Sequence, residues 1–215
     1  EELRDQEVNV WNGFEWSSTV VRRTGVKKQL LNVKFSNGVT LQCTPEHKFY
    51  IRGESEEIQA QNLKKGQAII KWNVPIVEKV LEKREPFYFL SVDERVELIR
   101  TYIFAFGRVI KNDSGDSLEL FQTNNETLQN IRLVLLTLGI DTTITEQRGY
   151  IVGFLASNVK DGYSLNISPK GVQKLIEFDF KLFNLEQREV PEEDILVTIE
   201  SVELGNPSAT TYCFT

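Results

Sequence analysis

Ser36-Asn37-Gly38-Val39-Thr40-Leu41-Gln42-Cys43-Thr44-Pro45-Glu46-His47-Lys48-Phe49 is the stretch that decides how this chain is read. Asn37-Gly38 separates two extended runs, Leu30 to Phe35 and Val39 to Cys43. Both central residues of a tight hairpin turn favour positive φ, so Asn-Gly between such runs predicts a β-hairpin. The hairpin empties into Thr44-Pro45-Glu46-His47, and His47 is the one histidine among 215 residues. A lone histidine is most simply a loop or core residue with satisfied ring nitrogens. Its position directly after a hairpin, three residues from a threonine, makes a chemical role worth testing.

Working outward, Val8, Val10 and Trp11 lead to a second Asn-Gly pair, Asn12-Gly13. Trp16 to Arg22 reads as a strand, with Gly25 predicted as the turn that ends it. Two hairpin signals in forty residues predict an all-β unit over residues 1–77. From about Glu78 the texture changes. Phe87 to Phe106 carries Leu90, Val92, Val96, Ile99, Ile103 and Phe106 at helical spacing. Ser117 to Phe121 reads as a strand, and Asn124 to Leu138 as a helix stopped by Gly139. Strands are expected around Thr143 to Thr145, Tyr150 to Phe154 and Tyr163 to Ile167, and a last helix over Val172 to Phe178. β character returns after the acidic Val190-Pro191-Glu192-Glu193-Asp194, in Ile195 to Val202 and Thr210 to Phe214. The order β, then α+β over 78–189, then β over 190–215 predicts a domain inserted into a β domain.

Bulk properties narrow the function. Hydrophobic residues make up 40% and charged residues 26%, which fits a globular chain that can bury a core. The net charge of −6 argues against a free nucleic-acid-binding domain, whose affinity comes largely from neutralising phosphates. No apolar run reaches the length of a membrane span, and no signal peptide is visible. Cys43 and Cys213 do not make a disulfide framework, so a reducing, cytoplasmic compartment is expected.

Thr44-x-x-His47 after the hairpin, followed by Ala60-Gln61-Asn62-Leu63-Lys64-Lys65-Gly66-Gln67, resembles the second conserved block of Hint domains. Hint is the fold shared by inteins and hedgehog autoprocessing domains. Val8 to Val21 is similar to inteins hosted by ribonucleotide reductases and by phage replication or packaging proteins. Thr211-Tyr212-Cys213-Phe214-Thr215, preceded by Val197 to Val202, resembles the start of a late intein block whose acidic position is sometimes cysteine. Ile99 to Gly107 resembles the motif of LAGLIDADG homing endonucleases, and Leu118 to Glu126, Leu133 to Ile140 and Tyr163 to Ile167 share that family's texture. The fold implied is a mainly β, horseshoe-like Hint domain interrupted by an α+β LAGLIDADG-like insert.

The activity implied is protein splicing: an N–S acyl shift, a transesterification and an asparagine cyclisation, performed once on the host polypeptide and not on a free substrate. The resemblance assigns His47 to the proton donor at the first junction and Thr44 to the oxyanion or amide partner. It makes Cys213 a later proton relay. These residue types suit the chemistry, because histidine exchanges protons near neutrality and a hydroxyl can hydrogen-bond a tetrahedral centre. No cofactor and no metal are implied. The partners are flanking extein polypeptides and complementary intein segments, the chain itself being monomeric. The first nucleophile block and the closing His-Asn block are not found in the 215 residues, so splicing requires segments supplied from outside, as in a split intein acting in trans.

The motif's two acidic positions fall on Phe104 and Phe106, neither of which can ligate a cation. Residues 81–180 hold 11 Lys+Arg against 14 Asp+Glu, and only one motif copy is found. Nuclease activity is therefore not expected, and DNA binding is disfavoured. Four other readings stand beside this one: a non-splicing Hint autoprocessing domain, a LAGLIDADG-type DNA-binding protein, an inert scaffold in which His47 only shapes a turn, and a zinc site of Cys43, His47 and Cys213. The last lacks a fourth Cys or His to close it.

Overall fold

The computed structural model describes residues 4–12, 14–70, 75–77, 90–151, 159–180, 185 and 196–214; the side chains of residues 150, 151, 159, 213 and 214 lie outside the description. The chain divides into two compact units. One comprises Glu1–Asn73 with Ile195–Thr215, the other Val74–Asp194.

The first unit is built of β-strands. β1 (Glu7–Trp11) pairs with β2 (Trp16–Lys28), and β12 (Ala209–Phe214) pairs with the other edge of β2. The first hairpin turns over Asn12, whose Oδ1 accepts the amides of Phe14 and Glu15. Trp11 and Trp16, opposite each other in register, meet edge to face at 5.7 Å. A second sheet has the order β11 (Ile199–Leu204), β3 (Leu31–Phe35), β4 (Thr40–Cys43). The alternation of β3 decides its packing. Leu31, Val33 and Phe35 are buried, while Asn32 and Lys34 face out to Gln42 and Glu200. Gly38 has φ +79 and its amide donates to Phe35 O, but Asn37 does not have positive φ, so the hairpin turns on one left-handed residue and not on the two expected. Cys43, Phe49, Ile51, Ala60, Leu63, Val197 and Ile199 complete this core.

Strands from both ends of the chain therefore share sheets: β3 with β11 and β2 with β12. Ser36 and Thr198, 162 positions apart, are tied by a backbone bond from Ser36 and a return bond from the Thr198 amide to Ser36 Oγ. This arrangement is what an insertion into a β unit produces.

Gly25 is not a turn, contrary to the sequence expectation. β2 runs through it, opposite Thr211 of β12. A side chain there would meet Lys28 at 2.8 Å and Thr211 Oγ1 at 2.9 Å, so glycine serves the close approach of two strands.

The second unit packs three helices on a four-stranded antiparallel sheet of order β7 (Gly107–Ile110), β8 (Ser117–Gln122), β10 (Val159–Ile167), β9 (Thr142–Ile151). α1 (Val92–Phe106) starts at a capping box in which Ser91 and Glu94 exchange bonds, a later start than the predicted Phe87; residues 87–89 lie outside the described residues. α2 (Asn125–Thr137) is capped by Asn124 and followed by Gly139 at φ +70, as predicted. α3 (Pro169–Glu177) has Ser168 as its cap and Pro at the first position, three residues before the predicted start. β9 is one strand where two were expected, and residues 152–154 of the second lie outside the description. Ile99, Ile103, Leu118, Leu120, Leu128, Leu135, Leu165, Ile167, Val172 and Leu175 form the core.

The carboxyl end of α2 collects cations from two other helices. Arg95 Nη1 donates to Thr137 O at 3.2 Å, and Lys174 Nζ donates to Gly139 O at 2.5 Å. Positive charge there complements the helix dipole and satisfies carbonyls that lack an intrahelical partner. Gly107 ends α1 by turning directly into β7, with its amide on Ile103 O.

Candidate functional site

Thr44 and His47 are brought together by the most local device available, a four-residue turn. The His47 amide donates to Thr44 O at 3.0 Å, with Pro45 pre-set for the position after the threonine. The turn is held from behind by a single 3-10 turn, Ala60–Asn62. Ala60 N donates to His47 O at 2.7 Å, and Gln61 N donates to Pro45 O at 3.1 Å. Ala60 is fully buried, so this backing is part of the core.

β5 (Lys48–Phe49) pairs with β6 (Ile58–Gln59), and the Ala60-to-His47 bond extends that ladder by one step. Strand alternation then sorts the side chains. Phe49 and Ile51 point into the core, and His47 lies on their side at the rim, exposed. The His47 and Phe49 rings meet at 5.2 Å with planes 75° apart, and Phe49 packs at 6.2 Å on Phe35. Lys48 and Tyr50 point the other way, to solvent. There Lys48 Nζ lies 2.6 Å from Glu57. Hydrogen bonds from Lys48 and from the Tyr50 hydroxyl hold the Glu57 carboxyl below its ordinary range, and the same carboxylate raises Lys48 and Tyr50.

Thr44 is half-buried and His47 exposed. A hydroxyl and an imidazole three residues apart on a fixed turn can serve one peptide, one holding an oxyanion and the other moving a proton. Cys43, just before them, is buried, and burial pushes its thiol up, away from the reactive thiolate. Cys213 stands apart in sequence and in sheet: it lies in β12, opposite Arg22 of β2. Among the described residues, no group of three His, Cys, Asp or Glu side chains is placed to hold a metal ion.

The sequence reading quoted Ala60 to Gln67 but gave it no role, and gave none to Phe49. For Phe49 the signal was the two-residue alternation His47, Phe49, Ile51, which puts the three side chains on one face of a strand; the backing by Ala60 depends on the β5–β6 register, which spacing does not supply.

In the second unit, Phe104 and Phe106 lie at the end of α1 and are 73% and 51% exposed. Neither ring can ligate a cation.

Comparison with known proteins gives two findings. A family described as "LAGLIDADG-like domain" matches residues 93–173, wholly within the second unit. The chain is also similar to the ribonucleoside-diphosphate reductase large subunit of Invertebrate iridescent virus 6. The two are 24% identical over 306 aligned positions, which cover 100% of this chain and 32% of the viral protein. The chain thus spans about a third of the length of that relative. No helix among the described residues is long and apolar enough to cross a membrane.

Proposed function

We propose that this chain is the body of an intein, a Hint-type splicing domain interrupted by a LAGLIDADG-like domain. The observation that carries the reading is the interruption itself. A β unit bearing a Thr-x-x-His turn is completed by strands from both sides of a separate α+β unit, and that α+β unit holds the LAGLIDADG-like match. The second support is the alignment along the full chain with about a third of a protein named for another activity. An element housed in a longer host polypeptide would align in this way.

In this reading a cysteine or serine outside the 215 residues attacks the carbonyl of its preceding peptide bond. Its proton leaves as the C–O⁻ forms, and the C–N bond breaks when the nitrogen is protonated. His47 supplies that proton, and Thr44 donates to the tetrahedral oxygen. Cys213 handles the proton in the later transfer, after which a terminal asparagine, also outside the chain, cyclises. The partners are the flanking polypeptides and the segments that bring the nucleophile and the His-Asn pair.

The test is splicing in trans. An amino-terminal segment starting with cysteine and a carboxyl-terminal segment ending in His-Asn-Cys, each with a reporter, are combined with the chain. The products are weighed by mass spectrometry. Ligated reporters that vanish with His47→Ala support the reading. Association of all three pieces without ligation refutes it.

The match over residues 93–173 favours a second reading, a homing endonuclease or DNA-binding protein. The exposed Phe104 and Phe106 speak against cutting. A target-library assay in Mg²⁺ decides it: metal-dependent cleavage by the chain would make the nuclease reading the right one.

A further inference from the structure

We infer that Phe49 is a positioning residue for His47, fixing the plane of its imidazole. The inference rests on the splicing reading above. His47 is exposed, and an exposed histidine rotates about two side-chain torsions, whereas a proton donor must meet one nitrogen at one angle. Chemistry of this kind requires its groups held to within about 10–20°, by neighbours that are themselves locked by packing. Two anchors are visible for His47. Its backbone is fixed at both ends by bonds to Thr44 and from Ala60. Its ring meets Phe49 edge to face at 5.2 Å and 75°.

Phe49 can impose that angle because it is not free to follow the imidazole. It is buried, packs on Phe35 at 6.2 Å, and has its backbone in register with Ile58. An edge-to-face pair is directional where an aliphatic contact is not, because the positive ring edge meets the negative face. Leucine in place of Phe49 fills much of the volume yet leaves the imidazole plane unspecified. The alternation of the strand adds a control: Lys48, Tyr50 and Glu57 lie on the opposite side of the same strand pair, so they touch the ladder without touching the ring contact.

Two readouts test the inference, one of which needs no splicing. In the 215-residue chain, the His47 ring protons carry the ring-current shift of an adjacent aromatic face or edge. In the complemented chain, the acyl shift is followed as thiol-induced release of the amino-terminal reporter. Phe49→Leu and Phe49→Met are expected to abolish the ring-current shift and slow release by about three- to tenfold, the size of one lost aromatic pair. Association of the complementing segments is unchanged. Phe49→Tyr, which keeps the ring, restores both readouts, and Glu57→Gln moves neither.

Absence of the ring-current shift in the unaltered chain overturns the contact. Loss of the shift with release at the unaltered rate overturns the positioning role and leaves His47 as proton donor. Full release in His47→Ala removes His47 as the proton donor, and no thiol-induced release from the unaltered complemented chain overturns the splicing reading, each a different result from the first two. If neither aliphatic variant folds, a Phe49→Tyr chain that keeps the ring-current shift but loses release tenfold overturns the inference, and one that keeps both supports it.

Discussion

Arg95 is the residue whose replacement should most change the second unit. Its side chain is 1% exposed, and its guanidinium donates to three carbonyls: Ser91 at the start of its own helix, Thr137 at the end of α2, and Val77 in the segment that enters the unit. Burial pushes its pKa down, but a guanidinium keeps its charge. Arg95→Met retains the apolar stem and removes every donor. The Ser91 contact is long, at 3.4 Å, and Ser91 is exposed, so water can replace it. The other two bonds come from a charged donor and are worth about 1.5–3 kcal/mol each.

Against that gross loss of roughly 3–6 kcal/mol stands the desolvation of a buried cation, several kcal/mol that methionine does not suffer. Val77 O is left without that donor, while Thr137 O keeps the Val77 amide at 3.0 Å, so the balance should remain unfavourable, by about 1–3 kcal/mol. Arg95→Lys should recover part of it, since a point-like ammonium cannot serve carbonyls from three places at once. Because the chain has two units, a single melting curve would not isolate the effect. Native-state hydrogen exchange does. Protection of the Leu120 and Leu165 amides, central in the second unit's sheet, should fall by about 5- to 150-fold. Protection of Val33 in the first unit should hold. A change of less than about twofold at Leu120 in Arg95→Met would refute the reasoning, since it would mean that desolvation cancels the clamp.

Other outcomes follow from single residues. His47→Ala in the complemented chain should slow amino-terminal release by roughly 10²- to 10⁴-fold, measured by mass spectrometry, with an unaltered rate excluding it as proton donor. Gly107→Ala should destabilise the second unit by about 1–3 kcal/mol, because the added Cβ would sit 2.5 Å from Ile103 O; exchange at Leu120 reads this, and no change would mean the helix end yields freely. Cys43 should alkylate far more slowly in the native chain than in denaturant, as burial raises its pKa; equal rates would show the thiol to be open. The Glu57 carboxyl, followed by NMR, should titrate below the ordinary range and move up in Lys48→Ala. A depressed carboxyl contributes stability that is present above its unfolded pKa and lost as pH falls through the folded value, so this contribution fades on the acid side.

What was legible in the sequence was local. Asn37-Gly38 marks its hairpin, Gly139 ends α2, and Thr44-Pro45-Glu46-His47 closes on itself, because each depends on a few adjacent dihedrals. The interruption of a β region was also readable, since the hydrophobic period changes along the chain. The rest depended on distant partners. Gly25 looked like a turn until β12 came to lie against it. Arg95 reads as a surface position on a helix, and only its reach to Thr137 and Val77 makes it interior. Ser91-x-x-Glu94 was a readable start signal for α1 that apolar spacing outweighed. The backing of His47 by Ala60 and Phe49 needs the β5–β6 register, which spacing alone does not supply.

The pairing of β3 with β11 sets a clock. Ser36 and its partner Thr198 are 162 positions apart. At a synthesis rate of about 5–20 residues per second, roughly 8 to 32 seconds separate their emergence from the ribosome. Through that interval one edge of β3, and the β2 edge that β12 will cover, wait as unfilled templates for whichever strand arrives first. The second unit has its own core and can fold during the delay, which shortens the length of free chain between the two strands. A unit in the middle of the chain is, in this sense, also a spacer in time.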